Sequence, residues 1–139
     1  MDQTAKALSA INPLGEATVL CASSDCKHAA EEISALGAVC HFIGCDVAKE
    51  GDCHRLIKQA LDRFGSINAL VNCAAITTRG TILDTSAAVW HEHMAINLTG
   101  PFLLMQGVAK HLETNGSPGS IVNILSTSAH VGQSFLAPY

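Results

Sequence analysis

Two side chains near the end of the chain have types and spacing that could do chemistry. Ser126 ends the apolar run Ile121-Val122-Asn123-Ile124-Leu125, and Tyr139 follows it by thirteen residues. Reducing a ketone requires a proton donor for the developing alkoxide and a hydrogen-bond donor that polarises the carbonyl. A tyrosine can donate the proton, but its ordinary pKa near 10 calls for a nearby positive charge at neutral pH. A serine can supply the second donor. The place also fits, because an open α/β sheet binds ligands where a strand end runs into an irregular loop. On these two residues alone, an ordinary loop serine and a terminal aromatic is the simpler explanation.

The elements that must position them alternate between strand and helix, which points to a parallel α/β sheet. Residues 17–22 (Ala-Thr-Val-Leu-Cys-Ala) read as a short buried strand. A polar turn over 23–27 opens a helix with Ala29, Ala30, Ile33 and Leu36 on one face and Gly37 as its stop. Val39 to Gly44 reads as a second strand. Next comes the clearest helix, with Cys53, Leu56, Ile57, Ala60, Leu61 and Phe64 forming one apolar stripe that Gly65 closes. Ile67 to Cys73 reads as a third strand. Asp84, Thr85 and Ser86 each suit the cap of a long helix from Ala87 to about Leu112. Gly100-Pro101 predicts a kink in that helix near Asn97, because proline removes a backbone hydrogen bond. Ser120 to Leu125 reads as the fourth strand, and the tail to Tyr139 has no periodicity. The pattern shows no internal repeat and no second domain.

Composition narrows the class. The chain has 139 residues, a length suited to one domain. With 48% hydrophobic and 14% charged residues it has the makings of a core. A net charge of −4 argues against a nucleic-acid or anionic membrane partner. No apolar stretch approaches the roughly 20 residues of a membrane span, and no secretory leader is visible, so a cytoplasmic protein is expected. The pairs Cys21/Cys26 and Cys40/Cys45, with His28 and His41 nearby, invite a zinc reading. Their spacing does not match zinc knuckles. Cys21, Cys40 and Cys73 fall in strand-like runs, where cysteine acts as a small buried hydrophobe, so no metal is expected. A disulfide framework is not expected either. His91 and His93 fall on different helix faces and do not form a metal pair. His130 follows Ser126 by four residues in a loop, where an exposed polar residue is the ordinary case.

Several motifs in register carry more than the pair alone. They are Cys45-Asp46-Val47, Asn72-Cys73-Ala74-Ala75, Asn97 within Met94-Ala95-Ile96-Asn97-Leu98-Thr99-Gly100, and Ser126 with Tyr139. Together they resemble the short-chain dehydrogenase/reductase family, from about Gly15 to Tyr139. The resemblance implies a Rossmann-like doubly wound parallel sheet, with residues 1–139 as a partial NAD(P)-binding domain. It implies hydride transfer between a nicotinamide cofactor and a small-molecule carbonyl or alcohol, and a homo-oligomer in the complete protein. By the resemblance Asn97, Ser126 and Tyr139 are catalytic. Asn97 would hold a water in the proton relay, Ser126 would polarise the carbonyl, and Tyr139 would be the general acid/base. Asp46, Val47, Asn72, Ala74 and Ala75 would bind the cofactor, with Asp46 at the adenine. Two bland alternatives stand beside this: Asn97 as a polar residue that distorts its helix, and Asp46 as a cap before Lys49.

The sequence also departs from the family pattern. Cys73 stands where the family has asparagine, and Ala75 where it has a glycine that permits close approach to a ligand. The family's opening strand and glycine-rich turn, which holds a pyrophosphate at a helix N-terminus, have no counterpart. Met1 to Leu14 reads instead as a remnant of the following helix. The expected sheet lacks its first strand and its C-terminal strands, which leaves a gap at its centre. No residue follows Tyr139, where the family has a lysine four positions on. The chain as it stands is therefore expected to reduce no carbonyl and to bind NADPH weakly. Cofactor choice leans toward NADP over NAD, because no carboxylate for a ribose hydroxyl lies around Ala22-Ser23-Ser24, although the usual arginine is absent too. An alternative expectation is a non-catalytic chain that docks on a full-length relative through its long helix.

Overall fold

An apolar stripe at helical spacing must bury itself, and the best-marked stripe in the chain does so. In the computed structural model the backbone of residues 8–11, 17–20, 25–35 and 38–139 is described. The elements, in chain order, are β1 (Leu8–Ile11), β2 (Ala17–Leu20), α1 (Asp25–Ala35), α2 (Glu50–Phe64), β3 (Ala69–Asn72), α3 (Ala87–Met94), α4 (Gly100–Asn115) and β4 (Ser120–Asn123). One π-helical turn, Ala95–Thr99, joins α3 to α4. In α2, Cys53, Leu56, Ile57 and Ala60 are buried, while Leu61 and Phe64 are half-buried. Gly65 ends the helix at φ 76, its N–H donating to the Leu61 carbonyl at 2.8 Å. That left-handed conformation favours glycine.

The core lies where α2 and α4 pack on each other and on β3. Leu56, Leu70, Leu104 and Val108 are all at most 2% exposed. Each such side chain contributes on the order of 1.5–3 kcal/mol of transfer free energy. The start of α4 presses on the segment before α2. A Cβ at Gly100 would stand 2.6 Å from the Val47 carbonyl oxygen, so only glycine fits there.

The four-stranded sheet has the order β2-β1-β3-β4. β3 and β4 are parallel over the register Ala69↔Ser120 to Asn72↔Asn123. This parallel pair, with its packed helices, is the Rossmann-like part. β1 runs antiparallel both to β2, from Leu8↔Leu20 to Ile11↔Ala17, and to β3 at Leu8↔Asn72.

Three expectations change here. Residues 8–11 form a strand, not the helix read over Met1 to Leu14; the rest of that stretch, apart from these four, lies outside the described residues. The expected gap at the sheet centre is filled, because β1 stands between β2 and β3, paired along its length with β2 and at Leu8↔Asn72 with β3. The strand expected over Val39 to Gly44 has no ladder. Ile43, Cys45 and Val47 are nevertheless buried, with Gly44 and Asp46 exposed between them. The period-2 pattern is therefore real, but it serves packing on α2 rather than sheet pairing. Of the turn read over 23–27, residues 25–27 already belong to α1, while Gly37 and residues 22–24 with their cofactor reading lie outside the described residues.

Candidate active site

Asn97 sits in the π turn, and the cause is local. In an α-helix its carbonyl would accept from the N–H of residue 101, and Pro101 has none. The expected kink is thus a π turn. The Asn97 side chain bonds through both of its polar atoms to one residue. Its Oδ1 accepts from the Ile76 N–H at 2.9 Å, and its Nδ2 donates to the Ile76 carbonyl at 3.0 Å.

Ser126 follows β4, half-buried, and caps a 3-10 turn over Thr127–Ala129. Its Oγ accepts from the Ser128 N–H at 3.1 Å, which leaves its own hydrogen available to donate. Tyr139 is 40% exposed. Its backbone N–H donates to the Leu136 carbonyl at 3.1 Å, while its hydroxyl makes no hydrogen bond among the described residues.

Asn72, 5% exposed, donates from Nδ2 to Asn123 Oδ1 at 2.8 Å, across the β3–β4 pair. Asn123 Nδ2 in turn lies 3.4 Å from Met105 Sδ. Asn72 therefore ties the sheet together. Ala74 and Ala75 follow it at the C-terminal end of β3, where small side chains leave room.

These residues meet in one cavity of about 990 Å³ at the C-terminal ends of β3 and β4. Asn72, Ala74, Ala75, Asn97, Ser126 and Tyr139 all line it. The volume is at the upper end of the range for small-molecule sites. Asp46 and Val47 are not among the lining residues. Val47 is buried in the core. Asp46 shapes the turn before α2: its Oδ1 accepts from the Ala48 N–H at 3.1 Å, and its carboxylate lies 3.1 Å from Lys49 Nζ.

Three residues that shape the site were given no role in it from the sequence, His93 having been weighed only as a metal ligand. His93, fully buried, takes the Thr78 N–H on Nε2 at 3.1 Å and places Nδ1 2.8 Å from the Val89 carbonyl. The tautomer with its proton on Nδ1 satisfies both contacts. His93 thereby pins the loop after β3 to α3. Gly80 donates to the Phe135 carbonyl at 2.9 Å and accepts from the Ala137 N–H at 3.1 Å, which ties that loop to the tail carrying Tyr139. Phe135 itself has φ 64, strained for a bulky side chain. One signal was present: His93 and Asn97 stand four apart, and so on one side of the long helix.

Of the cysteines, Cys45 and Cys53 are buried, Cys40 and Cys73 are half-buried rather than buried as expected, and the side chains of Cys21 and Cys26 lie outside the described residues. The hydrogen bond with Cys53 and burial push the Cys45 thiol far up, and burial pushes Cys73 up. Among the described residues no group of three His, Cys, Asp or Glu side chains could hold a metal ion. No helix among them is long and apolar enough to cross a membrane.

Comparison with known proteins agrees with this geometry. The short chain dehydrogenase family matches residues 3–139. A 2-(S)-hydroxypropyl-CoM dehydrogenase of Xanthobacter autotrophicus is 38% identical over 81% of this chain and 44% of its own length. An L-rhamnose 1-dehydrogenase (NAD(P)(+)) of Azotobacter vinelandii is 32% identical over 79% of this chain and 43% of its own. The solved structure of a gluconate 5-dehydrogenase from Burkholderia cenocepacia, in complex with NADP and tartrate, superposes with a TM-score of 0.78 at 28% identity. It covers 88% of this chain and 48% of that one. The chain thus spans a little under half the length of these relatives. Fold and family match agree, and the chain belongs to the short chain dehydrogenase family.

Proposed function

We propose that the cavity is the site of an NAD(P)-dependent oxidoreductase that interconverts a small-molecule carbonyl and its alcohol. The observation that carries this is the convergence of Asn97, Ser126 and Tyr139, from three separate segments, on one cavity at the strand ends. The Ser126 hydroxyl donates to the carbonyl oxygen and stabilises the charge that develops there. The Tyr139 hydroxyl delivers a proton to that oxygen, or removes one from the alcohol in the reverse direction. Asn97 acts through its backbone carbonyl, which Pro101 leaves without an α-helical donor and which can hold a water of the proton relay.

The residues present fit the nicotinamide end of the cofactor. Ala74 and Ala75 are small side chains at the end of β3, although Ala75 carries a Cβ where the family has glycine, and no charged side chain lines the cavity. A bound nicotinamide supplies or accepts the hydride. The pyrophosphate end is held less well. β1 and β2 pair antiparallel, unlike the parallel strand–helix–strand unit whose helix N-terminus holds a pyrophosphate. Weak NADPH binding by the 139-residue chain follows, with Asp46 and Val47 the candidates at the adenine. NADP is favoured slightly over NAD.

In a protein extended to the length of its relatives, Ser126→Ala and Tyr139→Phe should each lower turnover by about a hundredfold or more, read as NADPH oxidation. Near-unchanged rates would sink the assignment. A second reading is that the chain docks on a full-length relative through its long helix, and an exposed Trp90 on α3 favours it. Co-purification with the relative that is lost on Trp90→Glu would support it; unchanged co-purification would count against it. In the complete protein the same helix suits a homo-oligomer.

A further inference from the structure

The cavity is also informative about what it excludes. Among its lining residues there is no Asp, Glu, Lys, Arg or His. The walls carry Ile82, Leu98, Phe102, Met105, Leu125 and Phe135, drawn from the loop after β3, the π turn, α4, the end of β4 and the tail. Several of these are left open to solvent: Ile82 is 82% exposed, Leu125 81% and Phe135 59%. Large apolar side chains from separate segments thus line one hollow, as in small-molecule sites. The Asn97 amide is held by the Ile76 backbone, and the polar groups left to meet a ligand are neutral hydroxyls and amides. An anionic ligand would lose its hydration there and meet no basic side chain.

We propose that this site takes an uncharged, predominantly apolar carbonyl or alcohol, and discriminates against anionic ones. The inference rests on the site reading above and specifies its substrate class. The test uses two ketones of one frame, 4-methylacetophenone and 4-acetylbenzoate, with affinities for the 139-residue chain measured by ligand-observed NMR near neutral pH. The expected result is a preference of about tenfold or more for the neutral ketone. Equal affinity, a preference for the anion, or no binding of either overturns the proposal. Ile82→Arg, at an exposed position on the cavity wall, should narrow or reverse the preference; an unchanged ratio overturns the location. The two readings fail separately. Neutral-selective binding without hydride transfer in the extended protein refutes the oxidoreductase reading alone. Turnover of the anionic ketone in preference to the neutral one refutes the substrate class alone.

Discussion

The Asn97 amide supports a quantitative prediction, because both of its polar atoms bond to one residue's backbone. Its Oδ1 and Nδ2 meet the Ile76 N–H and carbonyl at 2.9 and 3.0 Å. Both residues are half-buried, so water replaces these bonds only in part. Each is worth on the order of 1 kcal/mol net, and Asn97→Ala should cost about 2–3 kcal/mol. Asn97→Asp is the sharper probe. The introduced carboxylate keeps the bond from the Ile76 N–H but turns an oxygen lone pair toward the Ile76 carbonyl. That repulsion disfavours the charged form and raises the folded pKa above the unfolded value of about 3.9. A raised folded pKa gives stability that is fully present below the unfolded value and lost as pH rises through the folded one. Urea unfolding at about pH 4 and about pH 7, corrected for the parent's own profile, should therefore show a smaller penalty for Asn97→Asp at the lower pH. A larger penalty at the lower pH, or a cost below about 0.5 kcal/mol for Asn97→Ala, would refute the reasoning.

Three further outcomes follow from local geometry. Gly100→Ala forces a Cβ to 2.6 Å from the Val47 carbonyl oxygen, which is backbone and cannot swing away; a loss of about 1–3 kcal/mol in urea unfolding is expected, and a neutral result would refute the contact. Phe135→Gly relieves φ 64 at a mostly exposed position and should raise the urea midpoint by about 1 kcal/mol of stability; a lower midpoint would mean that the ring's packing outweighs the strain. The Asp52 carboxyl is held below its ordinary range by the Asp46 N–H at 2.9 Å and then by Arg55 at 3.1 Å. Its contribution is present above the unfolded value of about 3.9 and lost as pH falls through the lower folded one. The stability gap between parent and Asp52→Asn should therefore close as pH falls from about 6 to about 3, and a constant gap would refute it.

What could be read in the sequence was whatever depends on nearest neighbours and periodicity. The α2 stripe, its Gly65 stop, the Ser86 cap and the break at Pro101 are local facts, and all appear in the structure. The Ser86 side chain accepts from the Val89 N–H as a capping serine does. The antiparallel strand β1 was not legible, because Leu8-Ser9-Ala10-Ile11 has no strong β pattern of its own. Its pairing is set by the vacancy between β2 and β3, which is a tertiary property. The segment over 39–47 misled for the opposite reason. Its alternation is strand-like, but alternation reports which side chains are buried, not whether a ladder forms. His93 gave no sign of its partner, since Thr78 lies fifteen residues away and is met only through the fold.

The site depends on that long-range part. Asn97, Ser126 and Tyr139 stand on a helix, a strand end and a tail, and no single element sets their mutual geometry. The loop after β3 relays it. Ile76 is bound to Asn97, Thr78 to His93, and Gly80 to the backbone of Phe135 and Ala137, so one short segment is tied to the helix and to the tail at alternate residues. Gly80 is fitted closely, since a Cβ there would stand 2.8 Å from Thr85 Oγ1. Placing a proton donor to within about half an ångström needs such support from residues that never touch the substrate. The neutrality of the cavity sharpens the point. With no charged side chain among the lining residues, what the loop fixes is position: its hydrogen bonds tie the Asn97 turn to the tail that carries Tyr139, while Ser126 is held by its own turn after β4.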